Sequence, residues 1–383
     1  MNRDLRAEID LVAEASIAAL RAPSILNSQP WRWRLAGDHA ELWADRSRQL
    51  TGLDPDGRLL LLSCGGALHH AVVTLRAAGF EADVARLPDG ERPDLVARFG
   101  VAPSGVAPSG VAPSGVAPSG VAPSGVAPSG VAPSGVAPSG VAPSGGAPSG
   151  GAPAGREGER ERDAEVAAAV SRRRTDRRPF GDERPSALVL EELRRAAGRH
   201  GVHLQVVQDE QVTDFAAAVA HAGDVERGDP RFRADLRAWT NRAHGDGVAP
   251  QSVVATARRT VAPRDFAIKA GLAAGAGSDR GTVYALLVTD GDEPRDWLAA
   301  GEALSDVWLT LTARGLAASP ISEVIEVPGV RGALRGLLGG VGNPAVALRI
   351  GVPVQEDAPP ASPRRSPSTV LSSGVPGETR HRQ

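Results

Sequence analysis

Ala22-Pro23-Ser24-Ile25-Leu26-Asn27-Ser28-Gln29-Pro30-Trp31-Arg32-Trp33 is the stretch from which the rest of the chain is read. It follows a helix whose apolar residues Leu5, Ile9, Val12, Ile17 and Leu20 recur at helical spacing, and Pro23 stops that helix. Ser24, Asn27 and Gln29 then place short polar side chains on one loop. Beyond it Trp33 and Leu35 alternate with arginines, Ala36-Gly37-Asp38 turns the chain, and Leu42 with Trp43 brings it back, which predicts a β-hairpin. A loop held between a helix and a strand, carrying donors and acceptors, suits a flat polar ligand. Turn and capping chemistry favours Ser and Asn at the same places, so on these residues alone a structural loop competes with a binding loop.

Composition narrows the classes. With 383 residues the chain has room for two ordinary domains or one large one, and its net charge of -2 gives no reason to expect general nucleic-acid binding. Its basic charge is almost all arginine, which leaves arginine as the residue for phosphate contacts. Cys64 is the sole cysteine, so neither an intramolecular disulfide nor a Cys-based zinc site is available. Met1-Asn2-Arg3-Asp4 opens a polar-faced helix rather than a signal peptide, and no apolar run approaches the ~20 residues that span a bilayer. The expectation is a soluble cytoplasmic protein without membrane contact.

Along the chain, a helix containing Cys64, His69 and His70 runs to Gly79. Adjacent histidines point in different directions on a helix, and no acid or cysteine stands at ligand spacing, so no metal site is expected. From Val101 the pentad Val-Ala-Pro-Ser-Gly repeats nine times to Gly145, followed by degenerate copies to Gly155. A proline and a glycine in each pentad block helix and sheet, and little apolar volume is available to offset ordering, so this tract is expected to be a disordered insertion. An elastin-like or adhesive role is the compositional alternative. Later segments predict helices over 188–199, 215–222, 230–243, 297–315 and 329–338, with strands over 203–207, 282–289 and 344–351.

An internal similarity ties the two ends together. Gly66-Ala67-Leu68 with Thr74-Leu75 and Gly79 matches Glu302-Ala303-Leu304 with Thr310-Leu311 and Gly315. Two copies of one long helix suggest two related halves in one chain; unrelated alanine-leucine helices are the alternative.

The run P-S-x-x-N-x-Q-P-W at Pro23–Trp31 resembles the segment by which nitroreductase-fold flavoproteins touch FMN. Arg173-Arg174-Thr175-Asp176-Arg177 is similar to the R-x-S-x-R/K arm of the same superfamily. The arm normally precedes the loop; here the order is reversed, as in the Acg-like FMN-binding nitroreductase relatives. That resemblance implies an α+β, nitroreductase-like fold, with two unequal halves forming a single-chain pseudo-dimer. The halves would be residues 1–100 and 156–370, separated by the insertion at 101–155, with a lid over 231–277 and a disordered tail over 371–383. The second half has Arg199-His200-Gly201 where a loop would belong, so one complete site per chain is implied.

The resemblance implies FMN as cofactor, held by Ser24, Asn27 and Gln29 from the loop and by Arg173, Arg174, Thr175 and Arg177 from the arm. Ser319 and Pro320, after the second long helix, and Arg364 and Arg365 near the C-terminus complete the implied set. No catalytic acid is identifiable, and no metal ligand is expected. The implied activity is an NAD(P)H-dependent oxidoreductase passing a hydride through flavin N5 to a quinone or nitroaromatic, in a monomer. A flavin-sequestering protein with a covered site is the alternative, and a repeat-driven interaction protein a third class.

Overall fold

The computed structural model describes residues 3–102, 153–240, 242, 245–255 and 259–373. Almost all of the Val-Ala-Pro-Ser-Gly tract therefore lies outside the described residues. The first helices and strands are α1 (Arg3–Ala19), β1 (Trp31–Ala36), β2 (His39–Ala44), α2 (Arg58–Ala77), β3 (Ala82–Arg86) and β4 (Leu95–Val101). Then come α3 (Pro153–Arg172), α4 (Ala187–Gly198), β5 (His203–Val206), α5 (Val212–Gly228), α6 (Pro230–Trp239) and β6 (Val283–Thr289). The chain continues through α7 (Pro294–Ala313), β7 (Ala317–Ile321), α8 (Glu323–Glu326), α9 (Pro328–Leu337), β8 (Asn343–Gly351), α10 (Pro367–Val370) and β9 (Leu371–Ser373).

The class is α+β, with two sheets ordered β3-β4-β2-β1-β9 and β5-β6-β8-β7. The expected hairpin is present, with Trp31 paired to Ala44 and Ala36 to His39. Trp31 and Trp33 bury one face of β1 while Arg32 is exposed on the other, the alternation of a half-buried strand. Every residue of β6 is buried, because both faces are covered and β8 and β5 flank the edges. Ala285 and Leu287 pack with residues of α4 and α7, and Tyr284, Leu286 and Val288 with residues of α5 and α9. Helix starts are signalled locally. Asp229 accepts the Arg231 N–H at 2.7 Å ahead of Pro230, and Asp296 reaches back to the Glu293 N–H at 2.9 Å ahead of Pro294.

Helices α2 and α7 are each 20 residues long and cross at glycines. A Cβ on Gly65 would overlap the Leu298 carbonyl, and one on Gly301 would overlap the Leu62 carbonyl. The contact is reciprocal: 65 and 301, like 62 and 298, are separated by the same offset as the sequence repeat. Glycine is required here for close approach of backbones. α1 packs on α2 as α4 packs on α7.

Three expectations need correction. Among the described residues one helix, α2, is long and apolar enough to cross a membrane, and 89% of its apolar window is buried in the fold. Its apolar surface is continuous because it packs on α1, α3 and α7, leaving no polar face to interrupt the run. The tail expected to be disordered from residue 371 instead begins with β9, whose Leu371 pairs in parallel with Trp33. Ile17, placed on the apolar stripe of α1, is exposed, while Val12, Ala15 and Ala19 make the buried face.

Candidate functional site

Pro23 ends α1, and Ile25–Asn27 forms a single 3₁₀ turn. Leu26, Asn27 and Gln29 have φ of 43°, 52° and 47°, the left-handed region that non-glycine residues enter at a cost of roughly 1–3 kcal/mol each. Bonds from distant parts of the chain hold this geometry. Ser24 Oγ accepts the Gln29 N–H at 2.9 Å, and Ser63 Oγ accepts the Ile25 N–H at 3.2 Å. Asn27 Nδ2 donates to the carbonyls of Gly247 (3.1 Å) and Pro363 (3.0 Å), and Asn27 Oδ1 accepts from Arg364 Nη1 at 2.9 Å. Asn27 thus ties the loop to the segment after α6 and to the C-terminal stretch.

The arm leaves α3 in extended form and bonds to β7, with Asp176 N–H donating to the Ala318 carbonyl at 3.0 Å. That places Arg173 over the Trp308 ring, 4.6 Å from its centroid. Among the described residues Arg173, 5% exposed, has a single acceptor, the Arg21 carbonyl at 3.3 Å, and its Nε and Nη1 are buried without partners. Burial, with the like charges of Arg364 and Arg174, pushes its guanidinium down to about 9. Arg364 donates to Asn27 and to the Arg21 carbonyl, keeps a buried Nε without a partner among the described residues, and is pushed down to about 10 by burial and the charges of Arg174 and Arg21. Arg177 bonds the Ser252 carbonyl at 3.0 Å and lies 4.8 Å from the Phe266 centroid; burial pushes it to about 10.

These groups surround a cavity of about 130 Å³. Of the sequence-predicted residues, Ser24, Asn27, Arg173, Thr175, Arg177, Ser319, Pro320 and Arg364 line it. Gln29, Arg174 and Arg365 are not among its lining residues. Gln29 is buried and bonds the Gly245 carbonyl and the Arg365 N–H. Arg174 turns back on the end of α3, donating to the carbonyls of Ser171 and Arg173 at 2.8 and 2.9 Å, as basic residues do at helix C-termini. Arg365 braces β1 through the carbonyls of Gln29 and Trp31. These three shape the site from behind.

The segment expected as a lid forms one wall, contributing Gly247, Val248, Ser252, Val261 and Phe266. It is anchored by Asp246, which pairs with Arg48 and with Arg242 (2.7 Å), and by the Trp239 ring between the same two arginines. Sequence reasoning missed Arg259, Arg264, Glu323 and Arg349, which also line the cavity. A charged residue inside the apolar strand Val346-Ala347-Leu348-Arg349-Ile350 was the available signal for Arg349.

On the other face of α7, His69, His200 and Asp306 come within ligand distance of one another. Both Asp306 oxygens are already engaged, by Arg162, by Arg199 at 3.1 and 3.2 Å, and by His200 at 3.1 Å. Guanidinium groups on both oxygens oppose a metal cation there. Burial works against the Asp306 charge, but these donors hold it well below the usual carboxylate range, while burial pushes His69 down to about 3. Arg86 closes the cluster with a paired contact to Glu302 at 2.7 and 2.8 Å.

No family model matches the chain. Two relatives from Mycobacterium tuberculosis (strain ATCC 25618 / H37Rv) carry the name "Putative NAD(P)H nitroreductase". Rv3131 is 33% identical over 92% of this chain and 88% of its own length, and acg is 30% identical over 94% and 95%. A solved FMN and NADPH-dependent nitroreductase, NfnB from Sphigopyxis sp. strain HMH, overlaps 54% of this chain and 97% of its own, with 21% identity and a TM-score of 0.36.

Proposed function

The chain belongs to the acg-like NAD(P)H nitroreductase family, and on that premise we propose that it is an FMN-dependent oxidoreductase passing reducing equivalents from NAD(P)H to a quinone or nitroaromatic. One observation carries the reading: Arg173 and Arg364 meet at one end of the cavity with buried, unpartnered N–H groups. Burial and neighbouring cations lower both guanidinium pKa values, to about 9 for Arg173 and about 10 for Arg364, and both groups stay charged near neutral pH. A phosphate dianion supplies the missing countercharge and the acceptors.

FMN fits this donor set, and when bound it would supply the hydride chemistry that no side chain here provides. The chain's own part is binding and exclusion of water. Arg173 and Arg364 would hold the phosphate, the hydroxyls of Thr175 and Ser319 would serve its polar oxygens, and Leu62, Leu304, Trp308 and Val346 would give apolar walls, since all of them line the cavity. Asn27, with its polar atoms already bonded, acts by fixing the loop. The reciprocal Gly65 and Gly301 contacts support a nitroreductase-like pseudo-dimer of two unequal halves; one complete site in a monomeric, cytoplasmic chain is part of the same proposal.

A second reading has its own observation, namely the wall to which Gly247, Val248, Ser252, Val261 and Phe266 contribute, clamped through Asp246. A covered flavin suits sequestration with little turnover. Stopped-flow bleaching of bound FMN by NADPH separates the two, run on the full chain and on a variant shortened within 240–247. Reduction in either form, followed by reoxidation with a quinone, supports the oxidoreductase. Negligible reduction in both rejects it in favour of flavin storage.

A further inference from the structure

The cavity has a second cationic end, which the phosphate reading does not use. Arg349, on β8, and Arg259, from the covering segment, both line it. They share one carboxylate, Asp279, at 3.2 and 3.3 Å. Arg349 is further fixed by the Arg178 carbonyl and by the Phe180 ring, 3.8 Å from its centroid. Arg259 Nη2 donates to the Arg177 carbonyl at 2.6 Å. After these bonds Arg349 Nε and Nη1 remain buried without a hydrogen-bond partner among the described residues, while Arg259 Nε stands 3.3 Å from Asp279 Oδ2 as an ion pair without hydrogen-bond geometry. Arg349 is 3% exposed, and so is the Arg259 side chain. Arg178, the neighbouring cation, is closed on Asp176 through two nitrogens and cannot serve a ligand. Tyr284 beside them is neutral, its phenol pushed up to about 12 by burial and by the Asp279 charge.

Charge distinguishes the two ends. Arg173 and Arg364 present two cations with no carboxylate opposite, which suits a dianion. Arg259 and Arg349 present two cations against Asp279, leaving one positive charge. Burial lowers both guanidiniums, Arg349 to about 10, with Asp279 opposing the shift. Arg259 and Arg349 bond the carbonyls of Arg177 and Arg178, four and five residues along the extended arm from Arg173. Apolar side chains, including Phe266 and Val346, line the same cavity.

We propose that the Arg259/Arg349 end receives the carboxylate of a small aromatic electron acceptor. The protein would then prefer monoanionic aromatic acceptors over neutral ones of the same shape. The planar guanidinium offers paired N–H groups that match a carboxylate, and one surplus charge matches a monoanion. The inference rests on the flavin reading for its role in turnover, but the binding preference does not require flavin.

Calorimetric titration of 4-nitrobenzoate and of the neutral 4-nitrobenzyl alcohol tests it, on both FMN-loaded and flavin-free protein. The expected result is at least about ten-fold tighter binding of the anion, the size of one charge-assisted contact. Arg259→Gln and Arg349→Met should each reduce that preference to within about two-fold while FMN content stays unchanged. Arg349→Lys should restore part of it, and Arg173→Ala, which weakens FMN, should leave it intact in the flavin-free protein. Should Arg349→Met fail to fold, Arg259→Gln alone carries the test. Equal binding of the two probes by the natural sequence overturns the proposal. So does loss of FMN, rather than of discrimination, in the Arg259 and Arg349 variants, which would assign both residues to the flavin. A natural chain that takes no FMN yet still prefers 4-nitrobenzoate would reject the flavin reading and leave this one standing.

Discussion

The turns after α1 and after α4 end helices that pack on α2 and α7 respectively, yet they do opposite things. After α1, the loop with left-handed residues at 26, 27 and 29 touches α2 through Ile25 N–H and Ser63 Oγ and lines the cavity there. After α4, Arg199 and His200 fold straight onto α7 and spend their donors on Asp306. Leu304 and Trp308 face the cavity while Glu302 and Asp306, two residues out of step, face the cluster. A two-residue step is about 200° around a helix, so α7 serves both faces at once. Among the described residues, the cavity face keeps Arg173 and Arg364 with buried N–H groups that lack partners, whereas Arg86, Arg162 and Arg199 are paired with carboxylates on the other. An unpaired buried charge is costly, which is why it marks the face that receives a ligand.

The largest expected effect is at the crossing the two regions share. Gly301→Val and Gly65→Val each force a side chain into a backbone carbonyl that cannot move aside. Both should lose about 3 kcal/mol or more in denaturant unfolding, and by similar amounts if the halves are equivalent. A tolerated substitution at one glycine alone would break the equivalence.

Next in size is Arg173→Ala, expected to weaken FMN about ten-fold to a hundred-fold while riboflavin, lacking the phosphate, changes little. The flavin-free variant should be at least as stable as the parent, since a buried cation among cations has been removed. Equal losses for both ligands would move the phosphate elsewhere.

The pH dependence separates the paired face from the contact between α5 and the covering segment, where Glu226 meets Arg264. Burial keeps His69 and His70 neutral in the fold, His69 to about pH 3, whereas the unfolded chain protonates them near 6.5. The unfolded state therefore binds more protons between pH 3 and 6.5, and stability falls on acidification by up to about 1.4 kcal/mol per pH unit per histidine. His69→Gln should flatten that slope. Glu226 runs the other way: burial, with Glu326 and Glu323 nearby, outweighs Arg264 and raises it from 4.5 to about 8. The fold then holds a proton that the unfolded chain has lost, so stability falls as pH rises from about 5 to 8, and Glu226→Gln should remove that decline. Denaturant unfolding at pH 5, 6, 7 and 8 measures both slopes. The smallest effect is Arg174→Ala, expected to change FMN affinity less than three-fold and stability by about 0.5 kcal/mol, as befits a helix-end contact.

Much of this was legible in the chain itself. Helix and strand periods placed β1, β2, α2, β6, α7 and β8, because each buries a regular stripe or face. The family motifs named residues that do line the cavity, including Arg173, Thr175 and Arg364. What the chain did not disclose depends on contacts across hundreds of positions. Gln29 and Arg365 carry motif positions but bond each other behind the cavity. Arg259 is one of many arginines until the fold brings it to Asp279. β9 is three residues long and has no period to detect; only the edge of β1 makes it a strand.

The contrast between an open face and a filled one is tested most directly by counting flavin. Protein purified and reconstituted with excess FMN, freed of unbound ligand, is denatured, and the released flavin is measured against chain concentration. One FMN per chain is expected, released at the same ratio by the Asp306→Asn variant and retained poorly by Arg173→Ala. Two per chain would mean that the face closed by Asp306 is also a flavin site, and none would mean that the unpaired arginines serve another anion.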